Sequence, residues 1–267
     1  MAIYDAYLGK LTEYVDEMRR KGRQTRVMTC PTEVGELLKG LPVKVGAGSN
    51  PGIILRSDTF MEMGNPEAGS SAFLLWTDNS SLIQDGKITL IGPDIPESQG
   101  ASLPFGQVLL LGGKDLDQGD HQKLEHIQFV ADQIEGYMIR SVSQLIWSRV
   151  SNEAVEKGFR FETLGRALMA IFKTEMPKVE SMEAIFVTSG QEDLPPLDDI
   201  GSQVRKIYRN LLSEDWKAKG FNVYECAYGW DCKVCPDQPV CDEIRDVIKV
   251  RKRRNGGSDT PSGDHSD

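Results

Sequence analysis

The sequence predicts a mixed α/β (α+β) domain: a mixed sheet covered by helices, with an N-terminal helical extension and a C-terminal Cys-rich metal loop. Three observations carry that prediction. The first twenty or so residues repeat apolar side chains at helical spacing; short apolar runs separated by turn residues follow; then helical spacing returns with strands interspersed. Strands first and helices later is the order of a mixed domain, not of a strictly alternating wind.

Taken in order, Ile3, Tyr7, Leu8, Leu11, Tyr14, Val15 and Met18 recur at three-and-four spacing and predict a helix that Gly22 ends. A short helix is expected from Pro31-Thr-Glu, with Leu37 and Leu38 apolar, stopping at Gly40. Val45-Gly-Ala-Gly-Ser-Asn-Pro-Gly52 holds too much backbone freedom for an element interior and reads as a loop or hinge. Strands are expected at Ile53–Leu55, Phe60–Met63, Ala72–Trp76, Lys87–Ile91 and Gln107–Leu111, with Asp85-Gly86, Gly92-Pro93 and Gly112-Gly113 as turns. A long helix is expected from about Asp117 to Arg149 on the spacing of Leu124, Ile127, Val130, Ile134, Met138, Val142 and Leu145. A helix over about 161–174, a strand at Met182–Thr188 and a helix after Pro195-Pro196 follow. Phe221–Tyr224 reads as a strand, Asp242–Ile248 as a helix, and Asn255–Asp267 as a polar disordered tract. The organisation is thus a helical segment at 1–44, an α/β domain at 45–225, a four-Cys loop and helix at 226–250, and a basic then disordered tail at 251–267.

Composition narrows the function classes. An apolar fraction of 39% and a charged fraction of 27% describe an ordinary soluble protein. No apolar run approaches the roughly twenty residues of a membrane span. The net charge of −9 argues against wholesale nucleic-acid binding. Five cations, Lys249, Arg251, Lys252, Arg253 and Arg254, nevertheless crowd together near the cysteines. They suit a helix C-terminus and a solvated tail, or a patch that docks an acidic redox partner.

Cys226, Cys232, Cys235 and Cys241 stand within sixteen residues as C-x5-C-x2-C-x5-C. Thiolates are soft ligands for zinc and iron–sulfur clusters, and a C-x2-C turn points two sulfurs at one centre. Met1-Ala-Ile-Tyr4 runs straight into a charged amphipathic segment with no signal peptide, so a reducing, cytoplasmic location is expected and disulfides are disfavoured. Zinc ribbons pair two short knuckles; a single C-x2-C flanked by two lone cysteines favours a cubane [4Fe–4S] cluster, with zinc as the rival. Cys30, before Pro31, reads as a structural thiol or a substitute ligand.

Other chemistry is sparse. No Ser-His-Asp, H-E-x-x-H or P-loop pattern occurs. His121 and His126 lie off one helical face and read as surface residues rather than metal ligands. Gly112-Gly113 lacks the G-x-G-x-x-G spacing of a phosphate loop. Trp147-Ser-Arg149 puts an aromatic plane beside a guanidinium, a pairing suited to stacking a nucleotide or coenzyme, although a half-buried tryptophan at a helix end is the commoner case.

Several stretches occur together in a recognisable order: Arg56-Ser-Asp-Thr-Phe-Met-Glu-Met-Gly-Asn-Pro66, Lys87-Ile-Thr-Leu-Ile-Gly-Pro-Asp94, Leu103-Pro-Phe-Gly-Gln107 with Gly112-Gly113, Trp147-Ser-Arg-Val-Ser151 and Phe172-Lys-Thr-Glu-Met-Pro177. From about residue 53 to 241 the chain resembles the acetyl-CoA synthase (CO dehydrogenase/acetyl-CoA decarbonylase-synthase beta) subunit family, over its middle domain and the start of its cluster domain. The resemblance implies a setting in which acetyl-CoA is assembled from CO, a corrinoid-delivered methyl group and coenzyme A at a [4Fe–4S] cluster bridged to two nickel ions. Tyr228-Gly-Trp-Asp-Cys232-Lys-Val-Cys235 resembles the family's Tyr-Gly-Cys-x-x-Cys stretch with a two-residue insertion, and Cys241 would match its third ligand after a shorter spacer. No cysteine follows Cys241, so Cys226 would replace the fourth ligand, and the Cys-Gly-Cys that holds the distal nickel is missing. Complete acetyl-CoA synthesis by this polypeptide alone is therefore not expected. The expectation is an iron–sulfur accessory or electron-transfer protein of anaerobic one-carbon or acyl-CoA metabolism, partnered by a redox protein or complex subunits. The alternatives are a zinc-stapled scaffold or regulator and a subunit that binds coenzyme A across Trp147 and Arg149.

Overall fold

In the computed structural model, residues 4–46, 54–128, 133–142 and 145–218 are described. Elements run α1 (Asp5–Arg20), β1 (Thr25–Thr29), α2 (Val34–Leu38), β2 (Thr59–Met63), β3 (Ser70–Thr77), β4 (Lys87–Ile91) and β5 (Phe105–Gly112). Then come α3 (Gln118–Gln128), β6 (Tyr137–Val142), β7 (Leu145–Ser151), α4 (Asn152–Glu156), α5 (Phe161–Glu175), β8 (Ser181–Val187) and α6 (Leu194–Ala218). This is the mixed α/β architecture that the pattern of elements predicts. Residues 1–211 form one unit; of residues 212–267 the structure describes the end of α6.

β3, β5 and β8 are buried at every position, which is why their sequences read as largely apolar runs instead of alternating ones. They belong to a five-stranded mixed sheet of order β1-β4-β8-β5-β3. β3 runs parallel to β5 and β4 to β8, while β5–β8 and β1–β4 are antiparallel. The register aligns Leu90, Phe186, Gln107 and Ala72 on one face, and Thr89, Ile185, Val108 and Phe73 on the other. α5 covers the first face. Its Gly165 lies so close to Ile88 that a Cβ would fall 2.6 Å from Ile88 Cδ1, and Phe161 packs on Phe186 with ring centroids 5.1 Å apart. α1 and α6 cover the second face, where Gly201 of α6 meets the Phe73 ring.

α1 buries Leu11, Tyr14 and Met18, the stripe its sequence spacing predicts. The Tyr14 hydroxyl donates to the Asp193 carbonyl at 2.8 Å, and Arg23 pairs with buried Asp193 at 2.8 Å, so α1 is fastened to the start of α6. β1 was not legible as a strand: Thr25–Thr29 is short, and only its pairing with β4 makes it one. Pro195 and Pro196 fall inside the first turn of α6 instead of preceding it, where their missing N–H groups cost nothing.

The second sheet corrects the sequence expectation of one long helix from Asp117 to Arg149. α3 ends at Gln128, and β6 and β7 form an antiparallel pair that β2 extends to β2-β7-β6. The apolar spacing of Ile134, Met138 and Leu145 mimics a helix, yet Gly136 takes φ +71 and a Cβ there would fall 2.5 Å from Ala154 Cβ. An L side chain resists that conformation, so the glycine marks a turn that a helix cannot contain.

Candidate functional site

β7 is the central strand of the small sheet, and its period of two sorts its side chains. Ile146, Ser148 and Val150 are buried inward, whereas Trp147 and Arg149 share the half-exposed outer face. The two candidate stacking residues therefore sit on a strand rather than at a helix end. The structure does bring them together: the Arg149 guanidinium carbon lies 5.1 Å from the Trp147 ring centroid, within cation–π range.

Arg149 is held by neighbours on β2 and just before it. Its Nε donates to Glu62 Oε1 at 3.0 Å, its Nη2 approaches the same oxygen at 2.9 Å, and its Nη1 donates to the Ile54 carbonyl at 3.2 Å. Three of five N–H donors are thereby used, leaving two for a ligand. The Trp147 indole N–H is buried and has no hydrogen-bond partner.

Across the β6–β7 ladder, Met138 stands opposite Arg149 and Arg140 opposite Trp147. Arg140 is exposed and makes no ion pair among the described residues. It is a member of this face that the sequence reading missed. Once β6 and β7 are recognised as a hairpin, the period of two alone would have found it. The face thus presents an indole plane with the Arg149 guanidinium against it and a second arginine opposite in the ladder, an arrangement that can stack an aromatic base and pair with phosphate oxygens.

The other candidates resolve differently. Cys226, Cys232, Cys235 and Cys241, the cations Lys249, Arg251, Lys252, Arg253 and Arg254, the strand expected at 221–224 and the helix expected at 242–248 lie outside the described residues. Among the described residues no group of three or more His, Cys, Asp or Glu side chains could hold a metal ion. Cys30 is buried, donates to the Gly86 carbonyl and touches Met169 Sδ, and burial pushes its thiol pKa up, as suits a packing residue.

His121 corrects the expectation of a surface residue. It is buried, its Nδ1 accepts from the Trp76 indole at 3.2 Å, and its ring lies against Tyr208. His126 is exposed as expected. The Gly113 N–H donates to the Thr77 carbonyl, and a Cβ there would overlap the Lys178 carbonyl, so close packing rather than phosphate binding explains the Gly112-Gly113 pair.

With this geometry in hand, comparison with known proteins supplies the context. The profile of the CO dehydrogenase/acetyl-CoA synthase complex beta subunit family matches residues 41–193, more than half of the chain. The chain belongs to that family. It is 29% identical over 223 residues to the acetyl-CoA decarbonylase/synthase complex subunit beta of Methanopyrus kandleri, covering 78% of this chain and 46% of the relative. Against subunit beta 1 of Methanosarcina thermophila it is 26% identical over 184 residues, 68% of this chain and 38% of the relative. Against subunit beta of Methanothermobacter thermautotrophicus it is 29% identical over 154 residues, 57% of this chain and 33% of the relative. The chain spans less than half the length of each of these relatives. The family match contains β2 to β8, and so both sheets except β1, together with Trp147, Arg149 and Arg140. No helix among the described residues is long and apolar enough to cross a membrane.

Proposed function

We propose that this protein is an iron–sulfur accessory or electron-transfer component related to the CO dehydrogenase/acetyl-CoA synthase beta subunit, acting in anaerobic one-carbon or acyl-CoA metabolism. The observation that carries the proposal is the juxtaposition in one chain of the family's fold over residues 41–193 and four cysteines at C-x5-C-x2-C-x5-C shortly after it. The donor set fits a cubane, since four thiolates satisfy its four irons. Cys226, Cys232, Cys235 and Cys241 would hold the [4Fe–4S] cluster, which when bound supplies one-electron transfer. Lys249, Arg251, Lys252, Arg253 and Arg254 would steer an acidic redox partner or complex subunits onto that end of the chain. The setting is cytoplasmic, where thiols stay reduced.

Anaerobic purification followed by iron, sulfide and zinc analysis tests this. Iron and acid-labile sulfide near four per chain, with a visible spectrum bleached by dithionite, is the expected result; stoichiometric zinc without iron or sulfide overturns it in favour of a zinc-stapled scaffold. Aerobic material is unsuitable, because oxygen destroys an exposed cubane and zinc then occupies the thiolates.

A second activity is favoured by the outer face of the small sheet. Trp147, with Arg149 stacked on it and Arg140 across the ladder, would bind coenzyme A, base on indole and phosphates on the guanidinium groups. Titration with coenzyme A is expected to quench tryptophan fluorescence in the wild type and not in Trp147→Phe. A wild-type signal unchanged at saturating ligand removes this activity without touching the cluster proposal.

A further inference from the structure

The five-stranded sheet has two edges, and they are finished differently. At the β3 edge, α6 and the small sheet close on the strand: Arg205 Nη1 donates to the outward Ala72 carbonyl at 3.2 Å, and the Ser70 side-chain Oγ accepts from the Ile146 N–H at 3.0 Å. At the β1 edge nothing comparable is found among the described residues.

The pairing with β4 shows which β1 groups are open. The Gly92 N–H donates to the Gln24 carbonyl and the Cys30 N–H to the Gly86 carbonyl, so the even-numbered residues face β4. In an antiparallel ladder the alternate residues, Thr25, Val27 and Thr29, then direct N–H and C=O outward. Val27 is 49% exposed, a large apolar side chain on an open edge. The strand carries neither proline nor bulge, two of the devices that keep edges from pairing, and its one charge, Arg26, is tied to Glu97 at 2.6 Å.

We infer that β1 pairs antiparallel with β1 of a second copy of this chain, about a two-fold axis at Val27, joining two five-stranded sheets into one. The segment Thr25-Arg-Val-Met-Thr29 is close to a palindrome, and that commits the occupant. A two-fold contact is self-complementary, each residue meeting its mirror position. Val27 meets Val27 of the second copy, Thr25 meets its Thr29, and Arg26 meets its Met28, so no like charges face each other. The three outward residues of each strand exchange six backbone hydrogen bonds. Threonine and valine, β-branched, suit the pleated surface so formed. β1 precedes residues 41–193, so this edge is a feature of this chain outside the stretch that defines its family.

Sedimentation of the full chain tests the inference, with Val27→Pro, Val27→Lys and Val27→Glu beside the wild type. The wild type is expected to be a dimer. Proline removes the outward N–H of residue 27 and leaves the β4 ladder intact, so Val27→Pro is expected to be a monomer with unchanged circular dichroism. Val27→Lys and Val27→Glu each set like charges against each other on the axis and are expected to be monomers alone and a dimer when mixed. A monomeric wild type, including one whose edge is taken by a different chain, overturns the inference; so does a dimer that persists in both Val27→Pro and Val27→Lys. Should Val27→Pro fail to fold, the mixing of Val27→Lys with Val27→Glu decides alone.

Discussion

The two sheets of this molecule are built on opposite rules. In the large sheet, β3, β5 and β8 are buried on both faces between α5 on one side and α1 with α6 on the other, and most of their side chains are apolar. In the small sheet, β7 buries Ile146, Ser148 and Val150 and leaves Trp147 and Arg149 on a wet face with Glu62, Met138 and Arg140. A strand closed on both sides can contribute only packing. A strand with one open face can hold a ligand while its other face holds the fold. On the proposed reading, the first sheet supplies stability and the second recognition, and substitutions should separate the two.

The largest separation is expected at Phe186. Its ring is fully buried among Phe161 and Phe105, with centroids at 5.1 and 6.3 Å. Phe186→Ala opens a cavity that strands and helix cannot close, and should cost about 3–5 kcal/mol in denaturant unfolding. Trp147→Phe should leave stability nearly unchanged while abolishing quenching by coenzyme A. If Trp147→Phe costs as much as Phe186→Ala, the division of labour between the sheets is wrong.

Gln107 is one of several buried polar residues of the large sheet, and its unpaired amide offers a change of opposite sign. It stands on the α5 face between Ala72 and Phe186, fully buried, with neither amide atom hydrogen-bonded. A buried amide without partners costs about 1–3 kcal/mol relative to an apolar group of similar shape. Gln107→Leu should therefore stabilise the protein by that amount. Destabilisation would show that the amide is satisfied in solution, by bound water or by a ligand.

Which parts were legible in the sequence follows from the same contrast. The doubly buried strands announced themselves as largely apolar runs, and α1, α5 and α6 as helical stripes. β1 escaped because five residues with three exposed or half-exposed β-branched side chains carry no burial signal of their own. The β6–β7 hairpin escaped because Met138, Ile134 and Leu145 fall at helical intervals, while the competing alternation of Tyr137 and Ile139 with Met138 and Arg140 spans few residues. Gly136 was the available clue. At the site, Trp147 and Arg149 were found through their proximity in sequence, whereas Arg140 and Glu62 reach them across strands, and only a register can reveal that. His121 was misjudged because its burial depends on Trp76 and Tyr208, far away in the chain.

The small sheet also has a dry face, and pH can probe it. Tyr137 is buried there with its hydroxyl 3.3 Å from Ser148 Oγ, and burial raises its pKa well above the ordinary 10.0. A raised value means that the folded state keeps the proton. The contribution is therefore fully present below pH 10 and is lost as pH climbs from there toward the folded-state value. In that alkaline window each such tyrosine steepens the loss of stability by about 1.4 kcal/mol per pH unit. Tyr137→Phe should flatten the slope by that amount; Tyr4, Tyr14 and Tyr208, the last pushed up to about 12, and the raised Cys30 thiol add to what remains. An unaltered slope would place the Tyr137 hydroxyl in contact with water.

The smallest effect on stability is expected at Arg140, and it is the sharpest test of the wet face. Its side chain is exposed, it forms no ion pair among the described residues, and it stands directly across the ladder from Trp147. Removing it breaks nothing in the fold, so Arg140→Ala should alter unfolding free energy by no more than about 0.5 kcal/mol. If phosphates of coenzyme A lie against the guanidinium groups, the same substitution should shift the quenching titration to roughly tenfold higher ligand, the equivalent of one charge-assisted hydrogen bond of about 1.4 kcal/mol. Raising the salt concentration should weaken wild-type binding toward that of Arg140→Ala, because an exposed cation is screened. A variant that binds like the wild type at low salt would confine the ligand to Trp147 and Arg149, and a variant that unfolds would make the outer face of β6 part of the scaffold after all.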